Sequence, residues 1–168
     1  NGSQQSSHLW FAVGPQTGTQ CGTHHKYAFE VRTSYRILSN IKLSHWGHMH
    51  KYSKAALITV EACASNLHSN LDDEWDKAIK TLGVSDKSCP KLAFKGLCSE
   101  GMVKGINPDR CLFKRESKNK NYAIKAANLL LTGHEADAKT LWGKVIHEEK
   151  AHNGQMFIVI NLFNAGLL

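Results

Sequence analysis

Apolar residues recur at intervals of three and four positions along most of the chain after Met49, which is the pattern of amphipathic helices. The pattern predicts six helices. Their approximate spans are 51–67, 72–82, 88–100, 118–131, 136–149 and 155–164. The sixth segment is rich in branched residues, so its composition alone would also suit a strand. A helix is favoured there because the segment ends in the same way as the third.

The third segment carries the clearest start and stop signals. Pro90 suits the first turn of a helix, where an amide hydrogen has no helical partner, and Gly101 suits the left-handed position just beyond a helix end. Two apolar residues follow Gly101. The chain repeats this ending at Gly166, which two apolar residues also follow. Both segments are therefore predicted to be helices that end at a glycine.

The two halves of the helical region resemble each other. Trp75 and Trp142 lie in the second and fifth predicted helices, and the first and fourth both contain Lys-Ala-Ala. Matches in the same order at a near-constant spacing indicate a duplicated unit. The predicted fold is all-α, with two tandem three-helix, helix-turn-helix-like units at 49–103 and 118–168, joined by a basic loop at 104–117. Chance is the alternative, since all amphipathic helices favour the same residues.

The first 48 residues differ in character from the rest of the chain, because Ser, Gln, Thr, Gly and His are frequent there. Apolar and polar residues alternate along 27–35, which predicts a strand, and 41–43 could pair with it across a turn. Residues 1–48 are therefore predicted to be an N-terminal extension that is weakly structured or forms a short β-hairpin. They precede a helical domain at 49–168.

The composition is that of a globular chain. At 168 residues, 42% hydrophobic and 21% charged, it can bury a core without disulfides or a structural metal. Five cysteines without close paired spacing favour a reducing, cytoplasmic setting. No apolar run approaches the ~20 residues of a membrane span, so no membrane partner is expected. His147 and His152 lie five positions apart, which is too far for a zinc-protease pair, and no cofactor or metal is expected.

The net charge of +7 favours acidic partners, and nucleic acid is the first candidate. Winged helix-turn-helix proteins place their third helix in the groove of the nucleic acid and a basic wing on its phosphates. The basic loop here would serve as the wing. The residues predicted to bind nucleic acid are Lys91, Lys95, Lys104, Arg110, Lys114, Arg115, Lys118 and Lys120. A solvated basic loop without a ligand is the alternative.

A polar cluster lies in the turn before the sixth helix. His152, Asn153 and Gln155 offer imidazole and amide groups that suit an anion or a base edge. The alternative is a structural cap in which Asn153 starts the helix. Cys98 lies on an apolar helix face, where a buried structural thiol is expected rather than a nucleophile. The sequence therefore assigns no catalytic residue.

Five short blocks of sequence carry a resemblance to a known family. They are Cys89-Pro90, 97–106, 117–120, Leu141-Trp142 and 152–156. From Met49 to Leu168 the chain resembles a family of small bacterial and archaeal proteins of unknown function. The resemblance implies a shared fold and a cytoplasmic setting, and it brings no activity or ligand. The chain departs from the family at Phe157, where members tend to have an acidic residue, and at 111–113, where the loop is usually more polar.

These observations favour a non-catalytic binding module that contacts nucleic acid through the basic loop and the third helix. The apolar sixth helix would be buried or used for self-association. A protein-interaction adaptor without nucleic-acid binding is the alternative, and a small enzyme of unassigned chemistry comes third. An enzyme would require a pocket that joins His152 and Asn153 to a carboxylate such as Glu149 or Glu100.

Overall fold

The computed structural model describes residues 46–66, 68–111, 113, 115–134, 137–146 and 150–168. Within these ranges the chain is all-α, as predicted, with six helices and no strand. The helices are α1 (Lys51–Ser65), α2 (Leu71–Thr81), α3 (Ser88–Ser99), α4 (Lys118–Leu131), α5 (Ala138–Val145) and α6 (Gln155–Asn164), and a 3₁₀ turn at Pro108–Arg110 lies between α3 and α4. The predicted β-hairpin falls outside the described residues.

Helix boundaries follow the sequence signals closely, except at α5. Helices α4 and α6 begin and end at the predicted residues. Helix α5 was predicted to span 136–149 and is shorter, because Ile146 is already extended, at φ −120° and ψ 156°. The segment 155–164 is a helix despite its branched residues, since its position in the core and its glycine ending outweigh a weak preference for strand.

Helix α6 lies at the centre of the molecule. It packs against α1, α3, α4 and α5, and Met156, Ile158, Val159 and Leu162 are fully buried in these contacts. A helix that is apolar on nearly all sides is stable only when other elements cover those sides. The sixth helix is therefore largely buried within one chain, and Phe157, Ile160 and Phe163 are half-buried.

Helices α3 and α4 cross with their backbones in close contact. A Cβ atom on Gly96 would lie 2.7 Å from Cβ of Lys120 and 2.8 Å from its Cα, which is closer than real atoms approach. Gly96 thus lets the two backbones meet. Because α3 and α4 belong to different predicted units, the boundary between the units is itself a tightly packed interface.

Helices α3 and α6 end in the same way. Gly101 and Gly166 adopt φ angles of 68° and 69°, and the residue after each glycine donates a hydrogen bond to the carbonyl five residues before it. This is the Schellman pattern, which requires a left-handed residue that glycine adopts without strain. The repeated sequence ending therefore has a repeated structure.

The two tryptophans, in contrast, have different neighbours. Trp75 stacks on Phe94 of α3 with 5.3 Å between ring centroids, and its indole N–H donates to Asp86. Trp142 meets the edge of Tyr122 on α4 at 5.2 Å, and its indole N–H donates to a loop carbonyl. The ends of α3 and α6 are alike, but the surroundings of the two tryptophans differ. The structure therefore does not confirm two equivalent three-helix units.

Candidate functional site

The two lysines predicted to read a groove from the third helix are bound to α2. Lys91 Nζ lies 2.6 Å from a carboxylate oxygen of Asp76 and 3.4 Å from one of Asp86. Lys95 Nζ contacts both carboxylate oxygens of Asp72, at 2.7 and 2.6 Å. These ion pairs tie α3 to α2, so α3 does not present a row of free cations.

Two further predicted cations also have partners inside the protein. Lys104 Nζ donates to the carbonyls of Gly166 and Leu168 at 2.8 and 3.0 Å, at the end of α6. Lys120, only 7% exposed, forms an ion pair with Glu100 at 2.6 Å, and this hydrogen bond raises the pKa of Lys120. Four of the eight predicted phosphate-binding residues therefore stabilise the fold.

The remaining predicted cations belong to the basic loop and to the first residue of α4. Arg110, Arg115 and Lys118 are exposed, and none of the described carboxylates forms an ion pair with them. Lys114 falls outside the described residues. The structure thus narrows the candidate cationic surface to Arg110, Arg115 and Lys118, and we call these three residues the loop cations.

The loop leads into a helix start that lacks a side-chain cap. Ser117 is the N-cap of α4, yet its side chain accepts no hydrogen bond, and the N–H groups of 118–120 have no partner among the described residues. Helix α6 also starts without a side-chain cap, at Gly154. Neither first turn contains an acidic residue. Both helix starts therefore lack a capping side chain and an acidic residue of their own, as does the start of α3, although Glu100 pairs with Lys120 in the first turn of α4.

One hydrogen bond joins these two helix starts. The side-chain amide of Gln155 on α6 donates to the side-chain oxygen of Asn119 on α4. Gln155 is only 1% exposed, and its own side-chain oxygen has no partner among the described atoms. The sequence pointed to Gln155, but it gave no signal for Asn119, because nothing local shows that residues so far apart will meet.

His152, the first residue of the predicted polar cluster, lies in an aromatic group. Its ring meets the edge of Phe157 at 5.0 Å and that of Trp142 at 6.3 Å between centroids. His50 stacks on the same Phe157 at 4.6 Å. Phe157 therefore packs between two histidines, and this contact joins the start of α1 to the start of α6. The sequence analysis did not connect His50 with this turn.

Both histidines accept hydrogen bonds from backbone N–H groups. His50 Nδ1 accepts from Tyr52 and caps α1, and His152 Nδ1 accepts from Gly154. These bonds require neutral imidazoles, because a protonated nitrogen cannot accept. Burial lowers the pKa of both rings below 6.5, and nearby Lys51 and His152 lower that of His50 further.

The structural alternative predicted that Asn153 starts α6, and this was wrong. It is exposed at φ 47°, and Gly154 at φ 91° is the N-cap. No described carboxylate is hydrogen-bonded to His152 or Asn153, Glu100 is paired with Lys120, and Glu149 lies outside the described residues. The residues named for an enzyme site are therefore not brought together in the part of the chain described.

The described cysteines, which are Cys63, Cys89, Cys98 and Cys111, are free thiols. Burial raises the pKa of Cys98 well above its usual value and that of Cys63 to about 11. Such thiols stay protonated and are poor nucleophiles. Among the described residues no group of three His, Cys, Asp or Glu side chains is arranged to hold a metal ion. No described helix has both the length and the apolar character that spanning a bilayer requires.

The fold and site define a small helical protein with a cationic loop that leads into α4, whose start is hydrogen-bonded to the start of α6. The chain belongs to a family of unknown function, DUF6979, whose model matches residues 49–168. The match begins at the residue where the helical pattern begins. No curated protein and no solved structure matches the chain.

Proposed function

We propose that the protein is a non-catalytic binding module that contacts the phosphate backbone of nucleic acid through the loop cations. One observation carries the proposal. Arg110, Arg115 and Lys118 are exposed and have no described carboxylate partner, whereas the other described cations of the predicted site are held by ion pairs or carbonyls. Exposed cations in one segment are the usual ligands of backbone phosphates.

The proposal is narrower than the one the sequence favours. We do not propose that α3 contacts base edges, because Lys91 and Lys95 are bound to carboxylates of α2. Contacts to phosphates alone position a protein on nucleic acid without distinguishing its sequence. We therefore expect binding that depends strongly on salt and weakly on base sequence.

The test compares binding of labelled duplex and single-stranded DNA and RNA at several salt concentrations. The triple variant Arg110→Ser, Arg115→Ser, Lys118→Ser is expected to bind more weakly. Each lost phosphate contact lowers the slope of log K against log salt by roughly 1, so the slope falls by about 3. The three residues are exposed, so their substitution is expected to leave the fold intact.

The matched control changes three exposed lysines elsewhere, Lys80, Lys139 and Lys144, to serine. It removes the same total charge, so it tests whether position matters in addition to net charge. We expect the control variant to keep most of the binding. Equal weakening of the two variants, or no binding by the unchanged chain, would contradict the proposal.

Two further expectations from the sequence also stay proposals. We propose that 49–103 and 118–168 are diverged copies of one helix-turn-helix-like unit, and the matching sequence blocks in the same order at a near-constant spacing support it. We also propose a cytoplasmic setting, which the four described free thiols support. Localisation of the tagged full chain in cells tests the second point directly.

A protein-interaction role is the second candidate, because one large apolar side chain is exposed among the residues that the structure describes. Leu131, at the end of α4, is 51% exposed and borders a cleft of about 320 Å³ together with Met102, Ile106 and Leu168. We propose self-association through this cleft as the form to test. Sedimentation of the chain and of Leu131→Ser should then show a dimer that the substitution weakens, and a monomer in both cases would contradict it.

A further inference from the structure

The outer face of α4 carries a continuous stripe of cationic and amide side chains. Residues three and four positions apart lie on one face of a helix, and the exposed positions of α4 follow this spacing. They are Lys118, Asn121, Lys125 and Asn128, and we call these four residues the α4 stripe. A shallow depression of about 400 Å³ lies on this face, and among the described residues only 121–132 line it. No other described helix covers the stripe.

Charge on this face has one sign. Helix α4 contains three lysines and no acidic residue. Lys120 is held in its ion pair, whereas Lys118 and Lys125 are exposed. Lys125 donates a hydrogen bond to a backbone carbonyl, which leaves its positive charge in place. Glu116 is the one acidic residue in 115–131, so cations outnumber anions there. The stripe continues the surface of the loop cations and is complementary in charge to a polyanion.

The two asparagines indicate that this partner offers more than phosphates. Asn121 and Asn128 are exposed, and their side chains form no hydrogen bond with a described residue. An asparagine amide has a donor and an acceptor in one plane, and it pairs with N6 and N7 of adenine in the major groove of DNA. Seven residues of helix span roughly 10 Å, which is about three base pairs. Both amides can therefore meet base edges at once.

The dimensions of a helix suit DNA better than RNA. A helix with its side chains is about 10–12 Å across, and the major groove of B-form DNA is about 12 Å wide. The major groove of A-form RNA is too deep and narrow for side chains to read. Ile124 and Leu129 are half-buried at the borders of the stripe, where they suit the methyl group of thymine. Duplex DNA is therefore the polyanion that this face fits.

We propose that α4 lies in the major groove of duplex DNA. Asn121 and Asn128 contact base edges there, while the lysines of the α4 stripe contact phosphates at the rim. The inference rests on the proposed function, because the loop cations hold the phosphates beside the groove. It deepens that function by naming the nucleic acid and the helix that enters it. The loop cations alone give binding that hardly depends on base sequence, and the two amides add a preference for adenine.

The first experiment compares nucleic acids with the unchanged full chain at one salt concentration. The labelled probes are a short duplex DNA rich in adenine and thymine, a duplex RNA of the corresponding sequence, and one DNA strand alone. We expect the DNA duplex to bind about tenfold more tightly than the RNA duplex. Equal affinity for the two duplexes, or tighter binding of the single strand, would overturn the inference and leave the proposed function standing.

Substitution of the asparagines tests their contact with bases. The double variant Asn121→Ala, Asn128→Ala should bind the DNA duplex about tenfold more weakly. Its salt slope should stay unchanged because no charge is lost, whereas the loop-cation variant lowers that slope. Asn164→Ala on α6 is the matched control, since Asn164 is also exposed. Alanine favours helix, so both variants should fold, and circular dichroism checks this. A double variant that binds as tightly as the control would overturn the inference.

A modified base locates the contact in the major groove. Replacing adenine by 7-deazaadenine removes N7, the acceptor for an asparagine amide. We expect this replacement to weaken binding by the unchanged chain about fivefold and to have no effect on the double variant, which has already lost the contact. An equal loss in both proteins would overturn the inference. If no nucleic acid binds the unchanged chain, the proposed function falls as well.

Discussion

At the scale of single residues, two histidines hold helix starts only while they are neutral. His50 and His152 each accept a backbone hydrogen bond, and burial lowers the pKa of both below the unfolded value of 6.5. The unfolded chain therefore binds protons more readily than the folded one. The free energy of unfolding is expected to be highest above pH 6.5 and to fall as the pH drops through the folded pKa values.

Denaturant unfolding at about pH 7.5 and about pH 5 measures this fall. The variant His50→Asn keeps a side chain that caps helices well but cannot be protonated, so it should lose part of the pH dependence. His68→Asn changes an exposed histidine and should leave the pH dependence as it was. A pH dependence that is identical in all three proteins would contradict the explanation.

Gly154 is a second residue whose identity the structure explains. It adopts φ 91°, and a Cβ atom there would lie 2.9 Å from the ring of His50 and 3.0 Å from that of Tyr52. Gly154→Ala is therefore expected to lower the free energy of unfolding by about 1–3 kcal/mol, from backbone strain and the clash together. Gly133→Ala is the control for strain alone, since Gly133 has a similar φ of 87° and open space around it.

The residue scale also shows where prediction from sequence stops. Gln155 stood out because a polar cluster precedes an apolar helix, whereas Asn119 looked like any residue of a basic helix start. Lys91 and Lys95 looked like exposed cations, because charge can be read from sequence and its neutralisation by a distant carboxylate cannot. Partners of this kind are set by tertiary packing.

At the scale of helices, Gly96 controls how closely α3 and α4 approach. A side chain there meets the backbone of Lys120, which cannot move aside as a flexible side chain could. Gly96→Ala should destabilise the protein by about 1–3 kcal/mol through overpacking, although alanine favours helix. Gly143→Ala in α5 is the control, because a Cβ atom there meets nothing within 4 Å. Thermal unfolding of both variants separates overpacking from the helix preference of alanine. Equal stability of Gly96→Ala and Gly143→Ala would contradict the close approach of α3 and α4 at Gly96.

The helices themselves were largely predictable from sequence. Spacing of apolar residues and glycine endings gave the bounds of α4 and α6, because both signals act within a few residues. The length of α5 was overestimated, since no glycine or proline follows Ile146 before Gly154 to mark an end, whereas Ile146 itself is extended in the structure. The packing arrangement of the helices, with α6 in the centre, depends on contacts between residues far apart in sequence. No local sequence signal predicts such contacts.

At the scale of the whole molecule, the two predicted units depend on each other. Helix α3 of the first unit packs on α4 and α6 of the second, and α1 packs on α6. Fragments 49–103 and 118–168 are therefore expected to be mostly unfolded when made alone, because each exposes an uncovered apolar face. Circular dichroism of each fragment and of their mixture checks this, with 49–168 as the folded control. A fragment that unfolds cooperatively by itself would contradict the expectation.

The central position of α6 has a consequence for synthesis on the ribosome. Residues 155–164 are made after every other described helix, yet α1, α3, α4 and α5 all pack around them. The nascent chain therefore has to hold these four helices without their common partner, and native closure waits until residues 155–164 have left the exit tunnel. A premature stop before residue 155 would release a chain whose helices surround an empty centre, a natural target for chaperones and proteases.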